Sequence, residues 1–551
     1  MNSSIKKALI GAHAVLIIAI IVMASVPPVS RDALTHHLAL PKLWIQHGGL
    51  TEFSDMGFSY YPPLLELLYS IPVYLHHDIA AKYIHFGFAL LTAMLVFLYL
   101  KRRLNAAWGG LGSLMFLSIP ITIKLSVTAY VDLGLLFFST GALFSGLIWL
   151  EAPQKKKWLL LTGLLSGLSL LVKYNAMVSF AVLTLLLPLF YLRSHPEAPN
   201  RTVKAVSHTL VLVFIALVVF APWAIRNFHL TGNPIYPLHQ ELFSTANTPP
   251  KARPGPDRDA PLSPLLARKL LHDESLPYTL LVPLRIFFQG QDDDPKTFDG
   301  QLSPMLLLLP MILLLTRYRP KRLVPGEIAL LSLYATLIIL YTFLTASMRI
   351  RYVITMMPAL IVLSVYGLYA LREALNRQEK LSSLPRNSIT AFVLALFFVP
   401  NLMYALNLYH RIDPFPYLKN KINRDQYIAQ RLGEYPLVLL SNQRIPKGKK
   451  LLALHLGNRR YYFDVDTLLS NDLLWDLARQ EQSGKGVADQ LSNNQISHLL
   501  IRLDIFNHLA KDHPPREQQV LADFFARHAQ LLATRNGYGF YRLNTPRRHT
   551  N

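Results

Sequence analysis

Apolar residues in this chain come in long, nearly unbroken runs separated by short polar clusters. They do not recur at the spacing of a helix or strand with one wet face. A helix needs about 20 mostly apolar residues to cross a bilayer, with a range of roughly 17–25. Eleven stretches approach that length: 8–29, 82–100, 107–124, 131–150, 158–173, 176–192, 205–223, 303–317, 325–346, 352–371 and 389–409. The fifth, sixth and eighth are short, and 158–192 is a candidate for one helical hairpin that does not fully cross. The first run follows Lys6 and Lys7 as a signal peptide would. Pro27 and Pro28 come after it and an Ala-x-Ala-like end is missing, so it reads as a retained first helix.

Between these runs lie two long loops, 30–81 and 224–302. In 31–47, Leu34, Leu38, Leu43 and Trp44 recur at helical spacing, and 62–76 is mostly apolar, as in helices lying in the membrane interface. Pro41 must kink or break the first of them. The stretch 251–264 is Pro-rich and charged and reads as an irregular loop. After residue 409 the pattern changes. Short β-rich runs at 437–441, 450–456, 461–465 and 496–503 predict strands. Helical spacing predicts helices over 471–480 and 516–532. Asn536-Gly537 before 538–543 is a hairpin signal. The expected architecture is an all-α polytopic membrane domain of about eleven transmembrane helices over 1–409, plus a small soluble α/β domain over 410–551.

Charge fixes an expected orientation. With the N-terminus in the cytoplasm, the cytoplasmic gaps carry Lys101-Arg102-Arg103, Lys155-Lys156-Lys157, Arg193 with Arg201 and Lys204, Arg317 to Arg322, and Arg372 to Arg386. The opposite gaps at 125–130 and 174–175 carry no Lys or Arg. That alternation is the positive-inside pattern of a multi-pass inner-membrane protein, and it puts the C-terminal domain outside. It also accounts for the net charge of +22 without nucleic acid. Only 16% of residues are charged, against about 25% in soluble domains. The chain has no Cys, which excludes disulfides, thiolate metal sites and cysteine nucleophiles.

Ionisable groups at membrane depth are costly, so each invites a functional reading. Asp32, just after the first helix, is a candidate general base for an acceptor hydroxyl, or else a helix N-cap. Asp132, at the start of the fourth helix, is a candidate second carboxylate or another N-cap. His36, His37, Glu52 and Asp55 are candidates to join Asp32 around a divalent metal, although interfacial histidines are commoner than ligands. Asp292-Asp293-Asp294 with Asp299-Gly300 lacks EF-hand spacing and reads as a solvated acidic loop. Arg349 and Arg351 flank a gap too short to leave the membrane surface, where a lipid phosphate or snorkelling to headgroups would justify them. Arg226 and Lys173 are weaker candidates of the same kind. Tyr60-Tyr61-Pro62-Pro63 makes a rigid aromatic corner that shapes a cavity or anchors at the interface. No Walker loop, GxSxG elbow or HExxH motif appears, so soluble nucleotide chemistry has no support.

The order of these motifs resembles the GT-C-type integral-membrane glycosyltransferases, in the bacterial branch similar to protein O-mannosyltransferases and the lipid A aminoarabinose transferase. The resemblance is carried by Arg31-Asp32-Ala33-Leu34-Thr35-His36-His37, Tyr60-Tyr61-Pro62-Pro63 and Tyr130-Val131-Asp132-Leu133-Gly134. Further along it is carried by Gly163 and Gly167 leading to Lys173-Tyr174, Pro222-Trp223-Ala224-Ile225-Arg226-Asn227 with Gly232-Asn233-Pro234, and Arg351-Tyr352 with Pro358. It covers roughly 1–409. Many relatives carry paired acids in the first loop, whereas Asp32 here lies between Arg31 and Ala33. The resemblance implies transfer of a sugar from a polyprenyl-phosphate donor to a glycolipid, glycan or protein acceptor, with inversion. It implies Asp32 as base, Asp132 sharing or positioning, and the phosphate on Arg349, Arg351, Arg226 and Lys173. His36, His37, Tyr60, Tyr61 and Tyr352 then belong to the substrate cavity. No cofactor is fixed by this reading, and a divalent metal stays open. The tail holds 21 Lys/Arg against 13 Asp/Glu, which suits an anionic glycolipid or plain solubility. Rival readings are a lipid-linked-sugar flippase or transporter, an O-antigen ligase or polymerase, and a non-enzymatic assembly protein.

Overall fold

The computed structural model describes residues 3–53, 55–243, 264–345, 348–377 and 386–544. The loop expected at 251–264 lies outside these residues apart from Pro264. The chain is a multi-pass membrane protein. Among the described residues, eight helices are long and apolar enough to cross a bilayer: Ser4–Ala24, Ile79–Arg103, Asp132–Glu151, Ala176–Ser194, Arg201–Thr231, Glu327–Thr345, Ile354–Arg377 and Arg386–Ile412. The other three expected segments are helical but interrupted or shorter. The third is the pair Ala106–Ser118 and Pro120–Ser126, bent by 67° at the proline, and the fifth and eighth are Lys157–Val172 and Met305–Leu315. The sixth runs on to Ser194 and is long enough to cross by itself.

Contacts divide the chain into two units. One contains Met1–Ser25, Leu50–Pro72 and Ala80–Pro414; the other contains Val26–Gly49, Val73–Ile79 and Phe415–Asn551. In the membrane unit, close helix crossings explain the glycines. A Cβ on Gly167 would meet the Ala216 carbonyl oxygen at 2.8 Å, and one on Gly163 would meet that of Leu212 at 3.0 Å. Small residues four apart thus let Lys157–Val172 lie against Arg201–Thr231, as in small-xxx-small membrane contacts. Hydroxyls join neighbouring helices: Ser139 Oγ lies 2.8 Å from Ser169 Oγ, and Ser145 Oγ lies 2.9 Å from Thr162 Oγ1.

One end of this unit is tied by a buried ion network. Glu327 Oε1 accepts from the hydroxyls of Tyr99 and Tyr366, both at 2.7 Å, and Oε2 lies 3.0 Å from Arg103 Nη2. Arg103 also pairs with Glu151. Four helices therefore share one set of charges at that end. A buried charge without its partner is strongly destabilising, so the network fixes which helices neighbour each other. The helix Asp132–Glu151 has 20 residues and extends about 30 Å from this network to Asp132 at its other end.

The second unit holds a five-stranded sheet of order β2-β1-β3-β5-β4. Its strands are β1 (Lys450–Leu454), β2 (Thr467–Leu469), β3 (Ile496–Arg502), β4 (Ala529–Arg535) and β5 (Tyr538–Leu543). The first three pair in parallel; β5 runs antiparallel to both β3 and β4. Leu452 and Leu454 face one hydrophobic cluster, while Leu451 and Ala453 face another, the period-2 pattern of a sheet covered on both sides. Asn536 and Gly537 have φ of 50° and 81°, the positive pair that a tight hairpin turn demands.

Three expectations for the tail are corrected. Residues 437–441 lie in the helix Tyr435–Arg444, where Leu437, Val438 and Ser441 are buried at helical spacing. Five apolar residues cannot by themselves distinguish a strand from a helix. Residues 461–465 form no strand, because their backbone is held elsewhere: the Tyr461 N–H goes to the Leu34 carbonyl and the Asp464 N–H to Asn442 Oδ1. The helix expected over 516–532 stops at Arg527, and the chain turns into β4, whose pairing with β5 overrides the local pattern.

His498 on β3 is buried, with its ring 5.3 Å from that of Phe540 and nearly parallel. Burial, then the charge of Arg542, holds its pKa down at about 4, below the ordinary 6.5. The unfolded chain therefore takes up this proton first, so the contribution to stability is full above pH 6.5 and fades as pH falls toward 4. We expect His498→Phe to lose less thermal stability than the wild type between pH 6.5 and 4. Parallel melting curves would show otherwise.

Candidate active site

The Asp132 end of its helix is held by side chains from two other segments. The N–H of Leu133 donates to His85 Nε2 at 2.9 Å. His85 Nδ1 lies 2.9 Å from the carbonyl oxygens of both Leu125 and Thr128, so the proton resides on Nδ1 and the ring is neutral. The Tyr69 hydroxyl donates to the Tyr130 carbonyl. Val131 is the cap residue and Asp132 the first residue of the helix, so Asp132 is not the N-cap. Its carboxylate instead meets Lys173 Nζ at 2.8 Å, with side chains only 1% and 13% exposed. Among the described residues Oδ2 is buried without a hydrogen-bond partner. The carboxylate stands at the positive end of the helix dipole.

Lys173 closes the helix Lys157–Val172 in extended conformation, which turns its side chain toward Asp132. From there it belongs to a group of cations around one ring. Lys173 Nζ lies 5.7 Å from the centre of the Tyr352 ring, Arg351 Cζ 5.7 Å and Arg349 Cζ 5.9 Å. Arg351 also lies 5.3 Å from the Tyr130 ring and adds to the field on Asp132. Arg349 is balanced only loosely, its Nη1 lying 3.6 Å from Asp299. Of the four expected phosphate-binding cations, the structure gathers Lys173, Arg349 and Arg351.

The fourth, Arg226, belongs to a network around the backbone of Tyr60. The carbonyl of Tyr60 accepts from Trp223 Nε1 at 3.1 Å and from Asn227 Nδ2 at 2.8 Å, with the Tyr174 hydroxyl at 3.3 Å. Asn227 also donates to the Tyr174 hydroxyl at 3.0 Å, and Arg226 Nη1 fixes its amide by donating to Oδ1 at 3.2 Å. Arg226 stacks over Trp223 at 4.4 Å. The Tyr61 ring lies 5.3 Å from that of Tyr174, and the Tyr60 ring 4.7 Å from Tyr236. The Tyr60 hydroxyl donates to Glu52; burial and that carboxylate push the phenol well above its usual range.

Asp32 lies in the other unit, half-buried, at the start of the π-helical turn Ala33–His37, with no side-chain cap bond. That turn meets the helix Ala39–His47 at Leu38, just ahead of Pro41. The carbonyl of Leu34 accepts from the N–H groups of Arg460 and Tyr461, both at 3.0 Å. The rings of His36 and His37 are buried and lie 4.0 Å apart. Among the described residues no group of three or more His, Asp or Glu side chains is placed to hold a metal ion.

The family profile for dolichyl-phosphate-mannose-protein mannosyltransferase matches residues 61–225, the stretch holding Tyr61, Asp132, Lys173 and Trp223. No curated protein sequence matches the chain. Among solved structures, ArnT from Cupriavidus metallidurans in the apo state superposes with a TM-score of 0.59 at 13% identity, covering 98% of both chains. The same protein bound to undecaprenyl phosphate gives 0.57 at 13% identity, covering 97% of this chain and 98% of that one. The archaeal oligosaccharyltransferase AglB from Archaeoglobus fulgidus, in complex with an inhibitory peptide and a dolichol-phosphate, gives 0.50 at 10%, covering 98% and 75%. The chain has the GT-C glycosyltransferase fold. Within that GT-C frame the Trp223 and Asn227 motif is a backbone anchor for the Tyr60 corner.

Other residues near the GT-C site escaped sequence reasoning. His85 and Tyr69 sit inside apolar helices with no motif around them. Glu66 is the one carboxylate in the apolar helix Leu64–Tyr74, and that isolation was the available signal. Burial pushes its carboxyl up to about 8, its own backbone N–H and Lys173 pull it down, and Asp132 adds to the rise. The acidic run at 292–294 is not simply solvated. Asp292 is 4% exposed and accepts from Tyr404 and Arg411 at 2.7 Å, while Lys124 Nζ lies 3.2–3.5 Å from Asp292, Asp293 and Asp299. The concentrated negative charge draws in cations from distant segments; only Asp293 stays exposed.

Removing one member of a buried ion pair costs roughly 3–5 kcal/mol. Asp132→Asn is expected to lower stability by that order, and adding Lys173→Met to recover most of the loss. Thermal unfolding of the purified variants in lipid nanodiscs tests this, and simple additivity of the two losses would contradict the pairing.

Proposed function

We propose that the chain transfers a sugar from a polyprenyl-phosphate donor to an acceptor hydroxyl on the extracytoplasmic face of the membrane, inverting the anomeric carbon. The observation that carries this reading is the gathering of Lys173, Arg349 and Arg351 around Tyr352, with Asp132 buried against Lys173. Three cations stand there with Asp132 and, more loosely, Asp299, and a lipid phosphate is an anion that suits such a group. The fold's likeness to a protein solved with undecaprenyl phosphate bound supports the same donor class.

In this reading the acceptor oxygen attacks the anomeric carbon from the side opposite the phosphate. The bond from that carbon to the phosphate oxygen breaks, and its electron pair stays with the phosphate. Lys173, Arg349 and Arg351 stabilise the charge that builds there, where preorganised cations contribute most. Asp32 takes the acceptor proton as general base. Asp132 is a positioning residue: it holds Lys173 in place. Tyr60, Tyr61 and Tyr352 flank the donor, and Arg226 supports the Tyr60 corner. The alternation of Lys and Arg between spans supports a cytoplasmic N-terminus and an extracytoplasmic tail.

Two substitutions separate the roles. Asp32→Asn is expected to abolish the surface-glycan change that the wild type causes in cells, seen by mass spectrometry, while the purified variant still binds undecaprenyl phosphate. Arg351→Ala is expected to weaken undecaprenyl-phosphate binding roughly tenfold or more, the worth of a charged hydrogen bond. An Asp32→Asn protein with full glycan modification, or an Arg351→Ala protein with unchanged lipid affinity, would falsify the corresponding assignment.

A further inference from the structure

The second unit holds a half-open cavity of about 440 Å³, within the usual range of small-ligand sites. Its walls come from Val26–Gly49, Val73–Ile79 and the tail, and include Lys42, Gln46, Tyr74, Arg424, Tyr461 and Asp464. The charges in the wall are already matched. Lys42 Nζ donates to Asp464 at 2.7 Å and to the carbonyls of Tyr461 and Phe463 at 2.9 and 2.8 Å, which uses all three of its protons. Arg424 pairs with Asp78, which also accepts from the Tyr461 hydroxyl at 3.1 Å. Paired in this way, Lys42 with Asp464 and Arg424 with Asp78 leave no net charge for a ligand to balance, so the wall favours a neutral one.

What remains unspent is an aromatic face and a set of neutral hydrogen-bonding groups. Tyr74 is 68% exposed, Gln46 is exposed, and the Arg424 side chain is 39% exposed with N–H groups beyond the one given to Asp78. An apolar ring face beside amide and guanidinium edges matches a pyranose, whose C–H face is apolar and whose rim is hydroxyls. The cavity is also tied to the Asp32 turn. Leu34, two residues from Asp32, packs in one cluster with Tyr435, Tyr461 and Tyr462, all of which line the cavity.

We infer that this cavity is a subsite for an uncharged sugar residue of the acceptor, so that the acceptor is a glycan or glycolipid. The inference rests on the transferase reading above and adds the acceptor's class to it. Saturation-transfer NMR on the full chain in lipid nanodiscs, free of glycoside detergents, tests it. The probes are methyl α-D-mannoside, methyl β-D-glucoside, methyl β-D-galactoside and, as a charged comparison, mannose 6-phosphate. At least one neutral glycoside should receive saturation at its ring protons and outcompete mannose 6-phosphate. Tyr74→Ala should cut that signal about fivefold, the scale of one ring contact. Because Tyr74 is mostly exposed, its removal spares the fold, and Gln46→Ala serves as a second variant with the same expected direction. Absence of any neutral-glycoside signal, a stronger signal for the phosphate, or signals unchanged in both variants overturns the inference. Undecaprenyl-phosphate binding on the same nanodiscs keeps the two readings apart. Lipid binding without glycoside binding removes the subsite alone, whereas glycoside binding without lipid binding removes the donor reading and leaves a sugar site.

Discussion

The membrane unit depends on one buried ion pair, Asp132 with Lys173, at the N-terminal end of a helix whose other end meets the Glu327 network. A lysine side chain at 13% exposure is a costly buried charge unless a carboxylate shares its surroundings. Asp132 provides that carboxylate from the N-terminal end of its helix. The pair therefore lets a cation stand beside Tyr352, where Arg349 and Arg351 join it. Without the pair, a buried charge would stand unpartnered, which is strongly destabilising.

The rest of the unit serves to aim that pair. Neutral His85 and Tyr69 fix the backbone on either side of Asp132, so the carboxylate needs no bond of its own to the helix. Trp223, Asn227 and Tyr174 hold the Tyr60 carbonyl, which turns a Tyr-Tyr-Pro-Pro stretch into a rigid corner. These are polar groups buried in an apolar setting, where an unmade hydrogen bond is costly. The same cost that makes such groups rare makes their geometry specific. Glycines at 163 and 167 allow the close helix crossing between the segments that carry Lys173 and Trp223.

Much of this was legible in the sequence because bilayer thickness is a one-dimensional constraint. Run length alone located the eleven helical segments, and the alternation of Lys and Arg supplied an expected orientation. Asn536-Gly537 was equally legible, since a tight hairpin turn needs two residues that tolerate positive φ. What failed was set by distant partners. Residues 437–441 became helix because of what they pack against, and Asp292 is buried by Arg411 and Tyr404, more than a hundred positions away. At the site, Lys173 and Arg351 could be named as cations, but no spacing rule says that they converge on Tyr352 or that Lys173 takes Asp132. Asp132 itself looked like a cap and is a counter-ion.

In the proposed function, the cations around Tyr352 are the seat of a lipid phosphate. The most direct measurement is a cryo-electron microscopy structure of the full chain in nanodiscs containing undecaprenyl phosphate. Phosphate density is expected within hydrogen-bonding reach of Lys173 Nζ and the Arg351 guanidinium, beside the Tyr352 ring. Phosphate density elsewhere on the protein, with that cation group empty, would contradict it.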